Sequence, residues 1–549
     1  MTGTSSAIVI PSTTGYDEVL NQLITDRAAS RLAAADATLW GPDAESEASI
    51  RLGWVKLPET SRPLVAEIEA LRAELNADGI DRVVLCGMGG SSLAPEVITR
   101  TAGVDLTVLD STDPAVVRRA IERDLERTVV VVSSKSGSTV ETDSQRRAFA
   151  AAFQAAGIDP ASRFVVVTDP GSGLEALAKE NGYRRTFLAD PNVGGRYSAL
   201  TAFGLVPSGL AGADIGLLLD DAAATLDQLA VDDAGNPGLL LGALLGAGHQ
   251  AGRDKVVIAD TGSGIQGFAA WAEQLVAEST GKEGKGLLPV DLGTLVPGLA
   301  GWRGVGPDVT RVALVAPDSG EQREDAEVST GGALGALMQV WETAVALAGI
   351  VIGINPFDQP NVEEAKSSAR KMLDAPGGDT DQAGPSFTDG AVEVYGAEQL
   401  GIVGTTLASA ISALISAMPE QGYLAILAYL DRDADKAAAD LRVRFAHNAT
   451  YPVTFGWGPR YLHSTGQYHK GGHPNGAFLE LTGVHPQDLD VPDRQYSFGV
   501  LIDAQAAGDL AVLAGRGFPT LRLHLTDRAA GLAQIATAVD AISQTASPT

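Results

Sequence analysis

A glycine-serine loop, a second loop crowded with hydroxyls, one arginine beside paired glycines and one helical glutamate could together hold a phosphate and move a proton. The apolar run Val83–Cys86 leads into Gly87–Ser92 (GMGGSS), with a helix expected from about Pro95. Glycines there let backbone approach a ligand, and a helix N-terminus offers unpaired N–H groups. Thr128–Val132 leads into Ser133–Thr139 (SSKSGST) and then a helix to about Ala156. Ser134, Ser136 and Thr139 could donate to a phosphate without much net charge, with Lys135 beside them. One or two of these hydroxyls would suffice to cap a helix, so five of them point beyond capping to an anion. Gly194–Ser198 (GGRYS) places Arg196 where it could stabilise developing negative charge, or simply bond nearby carbonyls.

Gln266–Glu278 is expected to be a helix, with Gln274 and Glu278 four apart on one face. Glu278 falls at its C-terminal end, where the dipole disfavours a carboxylate and raises its pKa towards that of a general base. By periodicity alone it would be an ordinary surface carboxylate. Asn355–Asn361 (NPFDQPN) includes Gln359 and leads to Lys366; a loop leaving a strand end is where open α/β sheets place ligands. In Tyr461–Gly472 (YLHSTGQYHKGG), His463 and His469, with His473 just beyond, show no recognised metal-ligand spacing, and no metal is expected.

These residues need a scaffold. Tyr16–Ala35 and Arg62–Ala77 show helical spacing. Short β-rich runs then alternate with turns and helical stretches: Val83–Cys86, Leu106–Leu109, Thr128–Val132 and Phe164–Val167, followed by Lys255–Ile258, Val312–Val315 and Ile350–Ile354. That alternation implies parallel sheets with right-handed crossovers. Beyond a flexible connection at Asp374–Pro385, strands are expected at Tyr423–Tyr429, Val453–Phe455, Phe478–Leu481, Tyr496–Ile502 and Leu521–Leu525. The expected organisation is α/β throughout: a helical segment over 1–80, two subdomains over 81–250 and 251–375, and an α/β extension over 376–549. Its 549 residues exceed one core.

The net charge of −28 repels nucleic acid and anionic membranes. A lone cysteine, Cys86, allows no internal disulfide. Met1–Pro11 has no basic region, its apolar run Ala7–Ile10 is short for a signal peptide, and no run of about 18 apolar residues stands out. A cytoplasmic protein is expected.

Together the segments resemble the glucose-6-phosphate isomerase family, built on paired sugar-isomerase (SIS) domains. GMGGSSLAPEV is similar to its GIGGSxLGP loop, SSKSGSTVET to its phosphate loop, and GGRYS to its arginine motif. QLVAESTGKEGKG resembles QLxxESxGK, NPFDQPNVEEAK resembles NPFDQPGVExxK, and LHSTGQ resembles DLHSxGQ. The resemblance implies that Ser134, Ser136 and Thr139 hold a sugar phosphate, with Lys135, Gly90 and Ser91 beside the sugar. It implies Glu278 as the base between C1 and C2, and Arg196 as stabiliser of a cis-enediolate. Lys366 and His463 would assist ring opening, while Gln274 and Gln359 line the pocket. No cofactor is implied. The phosphate loop here carries glycine and serine where the family often has an aromatic and threonine. The histidine motif follows NPFDQP by about a hundred residues instead of preceding it, a layout similar to the isomerase half of transaldolase–isomerase fusions. No part of the chain is free to supply the transaldolase barrel itself.

In short family members the histidine comes from a dimer partner. A homodimer is thus one arrangement left open; the other is a third region that folds back to complete the site in one chain. Competing expectations are a non-catalytic phosphosugar sensor, an isomerase that also accepts mannose 6-phosphate, and a nucleotide-binding enzyme using Gly87–Ser92. The last lacks an acidic ribose-binding position at a sensible strand end.

Overall fold

The computed structural model describes residues 7–294, 302, 306–317, 323–361, 373, 384–402, 404–447 and 449–545. Its architecture is α/β, with three sheets flanked by helices. The first sheet is all parallel, in the spatial order Thr107–Leu109, Arg82–Gly87, Thr128–Ser133, Phe164–Thr168, Arg185–Leu188. Its central strands are valine-rich and covered on both faces, so they read as continuous apolar runs without alternation. The order reverses between Arg82–Gly87 and Thr128–Ser133, paired in register from Arg82↔Thr128 to Gly87↔Ser133. Loops leaving two such strands diverge and open a crevice at their carboxyl ends. The GMGGSS and SSKSGST loops leave from these two strands.

The second sheet runs Ile8–Pro11, Val328–Gly331, Val309–Leu314, Lys255–Asp260, Leu288–Thr294, antiparallel only at its first edge. The N-terminal segment therefore contributes a strand as well as the helices Asp17–Thr25 and Pro63–Ala77. Between Lys255–Asp260 and Leu288–Thr294 lies the helix Phe268–Thr280, which carries Gln274 and Glu278. The third sheet orders Phe387–Asp389, Val392–Tyr395, Thr520–Leu525, Gly476–Gly483, Tyr423–Ala428, Val453–Trp457 and is parallel in its last four strands.

Two expected strands are helical. Ile350–Ile354 falls mostly within the helix Leu334–Ile352, closed by Gly353 in the left-handed region. The run is apolar because this helix is buried on nearly every side, not because it is a strand. Tyr496–Ile502 instead begins the helix Phe498–Gly515, where the Ser497 hydroxyl accepts from the Val500 N–H as an N-cap. Both helices have the length and composition of a membrane-crossing helix, with 89% and 56% of their apolar windows buried in the fold.

Candidate active site

The hydroxyls of the second loop pair with one another. Thr139 stands at the N-cap of Val140–Ala155 but makes no capping bond with its side chain. Its hydroxyl instead pairs with Ser134 Oγ at 2.9 Å, and Ser136 Oγ pairs with Ser138 Oγ at 2.9 Å. The Gly137 N–H donates to Ser134 Oγ at 3.2 Å, curling the loop over the first turn of the helix. Ser136 is exposed and Ser134 buried, so the hydroxyls run from the crevice floor to solvent. Lys135 is drawn aside, donating to Asp169 Oδ2 at 2.5 Å and the Pro191 carbonyl at 3.4 Å.

Gly89 and Gly90 let three segments meet. A Cβ on Gly90 would lie 2.1 Å from the Gly195 carbonyl oxygen, and one on Gly89 would lie 2.7 Å from the His463 carbonyl oxygen. No side chain fits at either place. Ser91, next in the loop, is buried beside them.

Arg196 and Glu278 are only 2% and 3% exposed. Arg196 Nε lies 3.2 Å from Glu278 Oε2, and its terminal nitrogens donate to the carbonyls of Glu278 (2.6 Å), Pro356 (2.9 Å) and Asp358 (3.1 Å). The arginine does bond nearby carbonyls, and those bonds hold its Nε against the Glu278 carboxylate. Gln274, one turn before Glu278, donates to Glu278 Oε1 at 3.3 Å and to the His463 carbonyl at 2.9 Å. The carboxylate is thus oriented from both sides on a rigid helix end.

His463 arrives from the third region within the same chain. Its Nε2 lies 3.0 Å from Glu141 Oε1, on the first turn after the hydroxyl loop. The other histidines of this segment go elsewhere. His469 Nδ1 pairs with the Tyr423 hydroxyl at 2.9 Å, and burial pushes its pKa down to about 3, marking a neutral core residue. His473 pairs with Asp254 at 2.8 Å. Gln359 is exposed, next to the Asp358 that Arg196 holds. Lys366 lies outside the described residues.

Two residues of the quoted motifs gain roles by geometry that spacing did not single out. One is Glu141, the partner of His463. The other is Lys282, whose fully buried Nζ donates to the carbonyls of Asn355 (2.7 Å) and Asp358 (2.8 Å) and to Asp358 Oδ1 (2.6 Å). Lys282 and Arg196 together clamp the 355–358 loop. Burial, then the nearby Arg196 charge, lowers the Lys282 pKa to about 8. With the folded pKa below the unfolded one, the charge is carried in both states below pH 8 and its burial opposes folding in full. As pH rises from 8 to 10.5 the folded protein sheds that proton first, and stability increases. Denaturant titrations should therefore show wild type gaining on the order of 3 kcal/mol relative to Lys282→Met across that window. A flat difference would place the ammonium in a less desolvated setting.

A cleft of about 550 Å³ lies along the Ala270 and Glu273 side of the same helix, between the first and third sheets. Its wall is cross-tied by Arg460 to Glu96 (2.5 Å) and Asp110 (2.6 Å), which fixes the His463 segment against the first sheet.

The site thus joins a hydroxyl loop at the switch point of the first sheet to a buried Arg–Glu pair formed between the first two α/β units. The family model described as phosphoglucose isomerase matches residues 68–287. A glucose-6-phosphate isomerase of Rubrobacter xylanophilus is 31% identical over 396 residues, 59% of this chain and 90% of that protein. A probable glucose-6-phosphate isomerase of Natronomonas pharaonis is 30% identical over 424 residues, 69% of this chain and 96% of that one. The chain belongs to the glucose-6-phosphate isomerase family. Among solved structures, a hypothetical protein from Thermus thermophilus is similar at TM-score 0.55 and 25% identity, covering 67% of this chain and all of that one. A Chlamydia trachomatis glucose-6-phosphate isomerase shares the fold at TM-score 0.52 and 20% identity, over 68% of this chain and 89% of its own.

Proposed function

We propose that this enzyme interconverts D-glucose 6-phosphate and D-fructose 6-phosphate in the cytoplasm. The observation that carries this reading is the buried pair of Arg196 Nε and Glu278 Oε2, 3.2 Å apart. A phosphosugar sensor would use the hydroxyl loop but has no need of an oriented buried carboxylate facing an arginine.

In this reading Ser134, Ser136 and Thr139 hold the phosphate while Gly90, Ser91 and Lys135 flank the sugar. His463, with Lys366, opens the ring by proton exchange at the ring oxygen and the C1 hydroxyl. Because His463 Nε2 is engaged by Glu141, this reading assigns the proton exchange to Nδ1. Glu278 then takes the C2 proton of the open aldose. The charge that develops on O1 as the cis-enediolate forms is stabilised by Arg196, whose guanidinium is fixed in advance and needs no reorganisation. Glu278 returns the proton to C1, and a proton passes between O2 and O1 to leave the ketose. No electrons leave the substrate, so the reaction needs no redox cofactor, and the proton transfers fall to acid–base groups.

The reading is tested by assaying fructose 6-phosphate turnover with Thr139→Val alongside wild type. Loss of one hydroxyl to a charged phosphate should raise KM about tenfold or more with little change in kcat. Unchanged KM would remove the loop from the phosphate site.

A further inference from the structure

One buried helix of the third region reaches the site from behind. Phe498–Gly515 places Gln505 and Asp509 four residues apart, on one face. Asp509 holds the residues flanking His463: Tyr461 donates to its Oδ2 at 2.7 Å, and Lys470 Nζ lies 2.5 Å from its Oδ1. Gln505 reaches the other side of the histidine. Its Nε2 donates at 2.8 Å to Glu141 Oε1, the same oxygen that His463 Nε2 approaches to 3.0 Å. The Thr112 hydroxyl donates at 2.6 Å to Gln505 Oε1. Thr112, Gln505 and Glu141 are all at most 4% exposed.

These bonds decide which way the amide faces. The NH₂ end must meet the Glu141 carboxylate, since the reverse would oppose a carbonyl oxygen to a carboxylate oxygen, and the carbonyl end then accepts from the Thr112 hydroxyl. We infer that Gln505, oriented by Thr112, is a positioning residue for the reaction: it fixes the Glu141 carboxylate and, through it, the ring of His463. Gln505 touches no sugar and acts only through Glu141. The inference rests on the proposed role of His463 in ring opening. It gives the third region a part in catalysis beyond delivering the histidine.

Steady-state assays on Gln505→Met, Glu141→Gln and the double variant test it. Methionine keeps the volume and removes both hydrogen bonds. Gln505→Met should lower kcat about tenfold with KM within about twofold, and in the Glu141→Gln background the same change should alter kcat less than about twofold. A residue that merely packs the core would lose activity equally in both backgrounds. Should Gln505→Met fold poorly, Thr112→Val removes the orienting hydroxyl at constant shape and should show the same loss, again cancelled by Glu141→Gln. Wild-type kcat in the folded single variants, or a loss undiminished in the Glu141→Gln background, overturns the inference. His463→Gln separates the two ideas. If it is fully active, the role of His463 itself falls; if it is impaired while Gln505→Met is not, only the role of Gln505 falls.

Discussion

Glu278→Gln is expected to lower kcat by about a hundredfold or more while KM changes little, since the amide cannot take the C2 proton but keeps the shape of the pocket. The cost to the fold should be modest. The carboxylate accepts from Arg196 on one oxygen and Gln274 on the other, so an amide must turn its NH₂ towards one of two donors. That mismatch costs about 1–3 kcal/mol, enough to lower the melting temperature without unfolding the enzyme. Kinetics and thermal unfolding on one preparation separate lost chemistry from lost structure. A variant with near wild-type kcat would hand the proton transfer to another group.

Arg196→Lys is expected to cost a similar factor, about a hundredfold to a thousandfold in kcat, for a different reason. Lysine keeps the charge but loses the planar fork that donates at once to the carbonyls of Glu278, Pro356 and Asp358. The charge would no longer be fixed before the enediolate forms, and the 355–358 loop would lose one of its two clamps. Two readouts follow: kcat falls, and the loop becomes more open to proteolysis. Arg196→Lys with wild-type kcat would mean that charge alone, not its fixed direction, serves the reaction.

What can be read from the chain, and what cannot, follows the range of the interactions. The strands Arg82–Gly87 and Thr128–Ser133 are valine-rich runs ending in glycine or serine, a local signal for a buried parallel strand and its turn. Their loops are legible for the same reason. Ile350–Ile354 and Tyr496–Ile502 mislead because a short β-branched or aromatic run looks the same in a buried helix as in a buried strand. In the second case the Ser497 N-cap is in the sequence, and it decides the matter. That misreading also hides Gln505, which sits in the helix that replaces the expected strand. Its contact with Glu141 spans 364 residues, and the contact of His463 with Glu141 spans 322. Nothing local announces either one. Lys282 stands in plain view within ESTGK, but its burial under the 355–358 loop depends on the second sheet closing around it.

Proton transfer at Glu278 is the central step of the reaction. Purified enzyme would be incubated with fructose 6-phosphate in deuterated water, with chelator present, and the products followed by NMR beside Glu278→Gln. The expected result is glucose 6-phosphate that carries solvent deuterium at C2 from wild type, with product and exchange both lowered about a hundredfold or more in the variant. Wild type that binds the sugar phosphate but leaves it unchanged, or near wild-type turnover in Glu278→Gln, would contradict proton transfer by Glu278.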